Sequence, residues 1–480
     1  MRKSPARRFA GSLIPIAVVA AIFAPAASAR TKAIPANIDV SAQTGNEAED
    51  AIAVNPTNPS NIVAMSVLPG PSLGIFEGVS FNGGQTWTRQ ILGDDDELGI
   101  ICCDQQLSWD EFGNLWMVYL ESGSPNVPIA LSTDGGLTFA KVVDIVPTKP
   151  KGSRSPKHKG SKGNGFKGKG SSSSDQPSIS AGAGSVWVSY TSYPAVVVQA
   201  SGAAVTGLGQ FGSFSEPESV PTANGRGNYG DTSVGPDGQL MVIYQDATIN
   251  QGGSHIYTAL DPDGLGPEGF DNPVFLARSR VGGFDYIAAQ PNRSVDAEAN
   301  LGWDRSGGLY NGRVQAIWTQ EVKNESDNTD IMSQYSDDNG ATWSPAVRLN
   351  DDATANSQFN PAIAVDQVTG FVGVSWYDAR NDLGEGGEGD TDGVPNDDVQ
   401  IWATYSTDGG ATFVANLRVS EGTSNILGAE TGFDYGDYTH AAFQGGVFYP
   451  SWSDNSNSTG ENPDGTLHML DLYMTQVIVA

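Results

Sequence analysis

The chain has 480 residues, with 26 Lys+Arg against 55 Asp+Glu, a net charge of −29, and 59 glycines and 27 prolines. Such an acidic balance argues against nucleic acid and anionic lipid as partners, since both bind basic surfaces. A hydrophobic content of 39% excludes wholesale disorder, and 4 His with 2 Cys leave little room for zinc chemistry.

Residues 1–29 read as a secretory signal peptide. Arg2, Lys3, Arg7 and Arg8 form a basic start, 13–24 is a short apolar stretch, and Ala27, Ser28 and Ala29 offer small residues for cleavage. The apolar stretch is short for a bilayer span and no later run approaches one. A secreted product, extracellular or periplasmic and without membrane insertion, is therefore expected. Residues 30–480 are expected to form one domain.

Beyond a strand expected at 37–41, one motif recurs. A short strand is followed by a second strand of alternating apolar residues. The first members are expected at 51–54, 106–109, 178–181, 232–235, 299–303, 362–365 and 438–441. The second members are expected at 61–67, 114–119, 185–190, 239–244, 312–318, 371–376 and 447–452. All but the first of these end in an aromatic: Tyr119, Tyr190, Tyr244, Trp318, Trp376 and Trp452. Period-two alternation rich in β-branched and aromatic residues marks half-buried strands. Seven units of about sixty residues predict an all-β propeller, with seven blades of four-stranded antiparallel sheets and six as the alternative count. The last unit is short of one strand, which 37–41 would supply to close the ring.

Two local features interrupt this pattern. Cys102 and Cys103 are adjacent, and both a vicinal disulfide and two buried free thiols fit an exported chain. Between the second and third units, 148–174 carries Lys149, Lys151, Arg154, Lys157, Lys159, Lys162, Lys167 and Lys169, no acid, and many Gly and Ser. This composition cannot bury a core and reads as a flexible basic insertion. It is either a solvated loop or a tether to acidic polymers, cell wall or the chain's own acidic face.

An octapeptide occurs four times with fixed spacing of Ser, Asp/Asn, Gly, Thr and an aromatic. The copies are Ser80, Asn82, Gly84, Thr86, Trp87; Ser132, Asp134, Gly136, Thr138, Phe139; Ser336, Asp338, Gly340, Thr342, Trp343; and Ser406, Asp408, Gly410, Thr412, Phe413. The acid or amide caps backbone N–H groups, Gly accepts positive φ, and the aromatic packs beneath a hairpin turn. These copies resemble the Asp-box (BNR) repeats of sialidase-like β-propellers. The resemblance implies a structural turn on the blade periphery, so no catalytic role is assigned to them.

Aligning the inner strands on their first apolar residue places a polar column three positions earlier: Glu49, Asp104, Gln176, Asp231, Glu298, Asn360 and Asp437. Inner strands surround the channel of a propeller, so this column should ring one mouth. Carboxylates so crowded repel one another unless cations, Arg or shared protons intervene. The ring is either a substrate or cation site, or a set of short side chains capping the loops that enter each strand. Tyr229 and Tyr435 each precede a Gly-Asp pair, and Tyr438 follows the second. Arg380 stands among the carboxylates Asp378 and Asp382. The resemblance to sialidases implies three Arg clamping a substrate carboxylate, a Tyr nucleophile backed by Glu, and an Asp acid/base. Here the early Arg-Ile-Pro motif and an arginine triad are not evident. Arg380 serves either that chemistry or a salt bridge to Asp378 or Asp382.

Calcium is the one cofactor the sequence suggests. Asp390, Asp392, Asp397 and Asp398 are the candidate ligands, in a loop that also holds Glu385 and Glu388; Asp94, Asp95, Asp96 and Glu97 form a second acidic run. His255 and His440 are expected to be structural. Taken together, the expectation is an exported propeller acting on extracellular glycans, as a glycoside hydrolase or a related polysaccharide-cleaving enzyme. Asp104, Asp231, Glu298 and Asp437 are the candidate acid/base groups, with Tyr438 and Arg380 in support. The alternative is a non-catalytic secreted propeller binding glycan or protein at the cell surface. A monomer is expected in either case.

Overall fold

The computed structural model describes residues 34–69, 74–148, 173–247, 251–429 and 431–479, besides Met1. The predicted signal peptide and nearly all of the basic insertion lie outside the described residues. Among the described residues there is no α-helix, and no helix is long and apolar enough to cross a membrane.

Seven antiparallel sheets follow one another along the chain, each starting with an inner strand and stepping outward. The inner strands of blades one to six are Ala48–Val54, Gly99–Trp109, Ser173–Gly182, Asn228–Val234, Asn300–Trp303 and Gln358–Val365. Each pairs with a second strand: Ile62–Val67, Leu115–Glu121, Ser185–Tyr193, Leu240–Gln245, Val314–Glu321 and Val372–Asp378. In blade seven the order from the axis outward is Ala441–Gln444, Val447–Asp454, Asp471–Met474 and Ile38–Asp39. The chain's first strand thus completes its last sheet, Ile38 pairing with Met474 and Asp39 with Tyr473, as the short final unit required.

The alternating strands pack as their pattern dictates. Tyr119, Tyr190, Tyr244, Trp318, Trp376 and Trp452 are all buried between blades. Burying each such ring contributes about 1.5–3 kcal/mol. Successive inner strands are also tied by side chains accepting from the next strand's N–H. Ser108 accepts from Ala181 at 2.9 Å, Ser178 from Thr232 and Ser180 from Val234 at 3.2 Å.

The four octapeptides connect the third strand to the fourth in blades one, two, five and six. Each Ser hydroxyl donates to the Asp/Asn side chain at 2.7–3.0 Å and accepts from the second box Gly at 2.8–2.9 Å. The acid or amide in turn accepts from the Thr N–H at 2.8–3.0 Å. Since strands alternate in direction, these turns lie at the far ends of the inner strands, opposite the polar column.

Two expectations shift in detail. Most inner strands start earlier than predicted, because pairing resumes upstream of a bulge at the polar column. The seventh, predicted at 438–441, is Ala441–Gln444.

Candidate functional site at the channel mouth

The column residues are not loop caps in most blades. Glu49, Asp104, Gln176 and Asn360 sit at register shifts inside the inner strands, and Glu298 just ahead of one. All five have left-handed backbone, with φ of 54°, 57°, 43°, 45° and 38°. An L-residue there costs on the order of 1–2 kcal/mol, and a bulge is a device that re-aims a side chain. Five polar side chains around one mouth therefore share the same backbone distortion, a pattern that clusters at functional sites.

Asp231 requires a correction. Its cross-strand partner is Ile243, as Met65 is of Ala51 and Ser189 of Ser178, so it lies two positions beyond the column. In blade four Tyr229 occupies the column position. The Asp231 carboxylate instead spans three blades, accepting from Ser178 Oγ (2.5 Å), Thr232 N (2.7 Å) and Leu301 N (2.8 Å).

Asp437 lies near the axis, because its charge acts on Glu49, Asp104, Asp175, Asp296 and Glu298, which come from blades one, two, three and five or the segment before it. It forms an ion pair with Arg293, whose Nη2 is also 4.0 Å from Glu49 Oε1. The Asp437 N–H donates to Glu49 Oε1 at 3.2 Å, and Asn360 Nδ2 to the Gly436 carbonyl at 3.2 Å. Gly436 has φ 87°, and a Cβ on it would meet Glu49 Cγ at 2.1 Å, so the close approach needs glycine.

Six carboxyl groups thus face one guanidinium. Burial, then Asp175 and Asp437, pushes Asp104 up to about 7. Burial, then Asp437, pushes Asp296 up to about 8. Glu298 is raised by burial, Asp296, Asp437 and Asp231, and Glu49 by burial, Asp104 and Asp437 against the pull of Arg293. Burial alone would lower Arg293, but Asp437 and Glu49 hold it well above its ordinary value. Tyr438 is buried with no hydrogen-bond partner for its hydroxyl among the described residues, and burial followed by Asp104 and Glu49 keeps that phenol protonated. The cluster therefore retains protons at neutral pH and can act as both acid and base.

The segment between blades four and five covers this mouth. It contains the hairpin Asp285–Ile287 and Gln290–Val295, which carries Arg293. Asp434 accepts from Asn292 N at 2.7 Å and Arg293 N at 2.8 Å. Gln290 binds the Gly436 carbonyl at 2.9 Å and accepts from Tyr435 N at 2.9 Å. Among the mouth residues Arg293, Asp437, Asp175 and Glu298 remain partly exposed.

The other predicted residues lie elsewhere. Arg380 donates to Asp378 Oδ2 (2.7 Å) and Asp351 Oδ1 (2.8 Å) and stacks on Trp402 at 4.0 Å, so it is engaged away from the ring. The salt bridge to Asp378 is present. On the blade-six loop, oxygens of Asp392, Asp397 and Asp398 lie within 4.8 Å of one another; Asp390 groups instead with Asp382 and Asp398. Asp94–Asp96 is an exposed strand. Cys102 and Cys103 are joined as a disulfide immediately before Asp104. His440 is held by the Asp50 carbonyl at 2.7 Å and His255 by Asp246 at 3.1 Å.

The model of the BNR/Asp-box repeat matches residues 334–345, which span the third octapeptide. The chain is a seven-bladed β-propeller that carries Asp-box repeats. No curated protein matches it. Among solved structures it is similar to an α-L-arabinanase of Penicillium chrysogenum, at 13% identity over 81% of this chain and 99% of that one, with a TM-score of 0.44. A Hadza microbial sialidase, Hz136, shows 13% identity over 87% and 73%, with a TM-score of 0.43. The polysaccharide lyase Uly1 shows 10% over 90% of each chain, with a TM-score of 0.47. At such identities a shared ring of blades does not carry a shared chemistry.

Arg293, Asp175 and Asp296 were not found in the sequence. Asp175 and Asp296 precede column residues by one and two positions, and of the other blades only the first, with Glu47 two ahead of Glu49, has an acid at the matching offset. Arg293 belongs to an insertion outside the repeat, in the stretch between the last strand of blade four and the first of blade five, which is no longer than the stretches before blades three and seven.

Proposed function

We propose that this propeller is an exported enzyme that cleaves a glycosidic bond of an extracellular glycan at the carboxyl-lined mouth. One observation supports the reading: buried carboxyls that keep protons near neutral pH face a guanidinium and an unspent phenol hydroxyl around a single axis. Cleaving an acetal needs a proton donor for the leaving oxygen and a second carboxyl to stabilise or attack the oxocarbenium-like centre. Asp104, Asp296 and Glu298 are the candidate donors, and Glu49 or Asp437, next to Arg293, the candidate partner. Arg293 would hold an anionic substituent of the sugar, for which a guanidinium fork is well suited. Export is supported by the leader-like pattern of residues 1–29.

The test is product release from a panel of sialosides and of neutral and uronate-containing polysaccharides. Asp104→Asn and Glu298→Gln should each reduce turnover by about 10²–10⁴-fold, the usual worth of a general acid or base, with an unchanged melting curve. Full activity in both variants, or no product across the panel from folded protein, refutes the assignment.

The cover formed by 285–295 and 431–437 favours a second reading, a propeller that binds glycan or protein at the cell surface without turnover. It predicts saturable binding of an acidic glycan, lost in Arg293→Ala, with no product.

A further inference from the structure

We propose that the blade-six loop holds one calcium ion at Asp392, Asp397 and Asp398. The stretch 382–398 carries Asp382, Glu385, Glu388, Asp390, Asp392, Asp397 and Asp398 and no Lys or Arg. Acids alone do not make a site, and most of these carboxylates are committed to the loop's own donors. Asp382 Oδ2 accepts from the N–H groups of Asp397 (2.8 Å) and Asp398 (2.9 Å). Asp390 accepts from Gly386 (2.6 Å) and Gly393 (2.7 Å), and Asp392 Oδ1 from Val394 (2.8 Å). Asp398 is bound by the backbone and hydroxyl of Thr391, and Glu388 by Arg418.

Asp397 differs from all of these. It is only 3% exposed, and its Oδ1 is buried without a hydrogen-bond donor among the described residues. Its carboxylate nevertheless lies within 4.8 Å of oxygens of Asp392 and Asp398. A buried carboxylate oxygen that no N–H or O–H of the described residues reaches, on a side chain set close to two further carboxylates, is the situation a bound cation resolves.

The donor set selects the ion. All ligands are hard oxygens with no His or Cys, which disfavours zinc and the softer metals. Calcium takes six to eight oxygens in irregular geometry, whereas magnesium demands a near-ideal octahedron. Gly384, Gly386, Gly387, Gly389 and Gly393 all have positive φ, so the loop's course is set by glycines rather than by a rigid element. Such a frame suits the irregular shell, with backbone carbonyls and water as the remaining ligands.

The ion would also brace the segment leading to the mouth. Asn425 Nδ2 reaches Thr391 Oγ1 (3.4 Å) and Asp392 Oδ2 (3.5 Å), while its Oδ1 caps the short helix Ile426–Gly428 through Leu427 N (2.9 Å). The neighbouring Ser424 accepts from Tyr435 OH at 3.1 Å, just before Asp437 and Tyr438. Binding itself does not depend on the proposed glycan chemistry.

The experiment is calorimetric titration of chelator-treated full-length protein with calcium chloride, alongside melting curves with and without the ion. One site is expected, with a rise in Tm on adding calcium and at least tenfold weaker binding in Asp397→Asn and in Asp398→Asn. Glu97→Asn, in the other acidic run, should bind as wild type. The proposal is overturned if wild type shows neither heat nor a Tm shift, if both loop variants bind calcium unchanged, or if magnesium binds equally well. Circular dichroism of the variants separates loss of the ion from loss of the fold.

Discussion

Replacing Asp39 by asparagine tests how the ring is closed. Asp39 lies on the chain's first strand, opposite Tyr473 on the strand that carries Asp471, and Glu47 lies close by. All three acids are buried, and Asp39 Oδ2, Glu47 Oε2 and Asp471 Oδ2 have no donor among the described residues. Their other oxygens are served by Ala42 N (2.7 Å), Gln43 Nε2 (2.8 Å) and Ser41 Oγ (3.1 Å). The charges that act most on Asp39 are those of Asp471 and Glu461, both negative, and Tyr473 stands beside it. Shared protons are what satisfy the remaining oxygens.

Burial first, and Asp471 second, push Asp39 up to about 8 from 3.8. Because the folded-state value is raised, folding retains a proton that the unfolded chain gives up. The resulting stability is complete below pH 3.8 and is lost as pH rises toward 8. At about 1.4 kcal/mol per pH unit inside that window, Asp39 alone accounts for about 2 kcal/mol between pH 6 and pH 8. With about 2.1 cal/mol/K of unfolding entropy per residue, that is about 2 °C in Tm for a chain this long. The amide of Asp39→Asn cannot ionise, and its Nδ2 can donate to Asp471. Melting curves of wild type and variant should converge below about pH 4, and between pH 6 and pH 8 the gap should widen by about that amount, the variant being the more stable. Parallel curves across the range would refute the shared-proton closure.

Other outcomes follow from the same contacts. Asp231→Ala should cost about 2–4 kcal/mol by denaturant titration, since it leaves Leu301 N without its acceptor inside the ring, Thr232 N with only its longer bond to Ser178, and the Ser178 hydroxyl without Asp231; a loss under 1 kcal/mol would contradict the clamp. Asp338→Ala, at an Asp-box that caps Thr342 N and Ser336, should cost about 1 kcal/mol and leave any turnover unchanged. Arg293→Gln should move the acid limb of a pH–rate profile upward, because Arg293 lowers the proton affinity of Glu49, Asp104 and Asp296; an unmoved limb would place catalysis elsewhere.

The blades were legible because each one solves the same burial problem with the same residues. An alternating strand ending in Tyr119, Tyr190 or Trp376 needs an aromatic to fill the gap between neighbouring sheets, and a Ser-Asp-Gly-Thr turn needs those side chains for its own N–H groups. Such local demands recur and so can be counted. The polar column was legible for the same reason, since a bulge early in most of the inner strands gives it a fixed offset. The offset failed at Asp231, where Tyr229 takes the column position and the nearest acid lies two residues on.

What could not be read is what breaks the repeat. A ring of similar blades supplies similar groups, and a ring of carboxyls alone has no preferred direction and no countercharge. Arg293 provides both, and it comes from a hairpin that belongs to no blade, held in place by Asp434 from the segment before blade seven. Two unrelated interruptions of the repeat must meet across the ring before the mouth acquires an ion pair, and no periodicity in sequence records that meeting. Asp437 shows the consequence. As a column member it is one acid among several, but once paired with Arg293 near the axis its charge reaches carboxyls from four blades. In this fold the repeat sets where a site can be, and the insertions that depart from it set the electrostatics that make one position different from the other six.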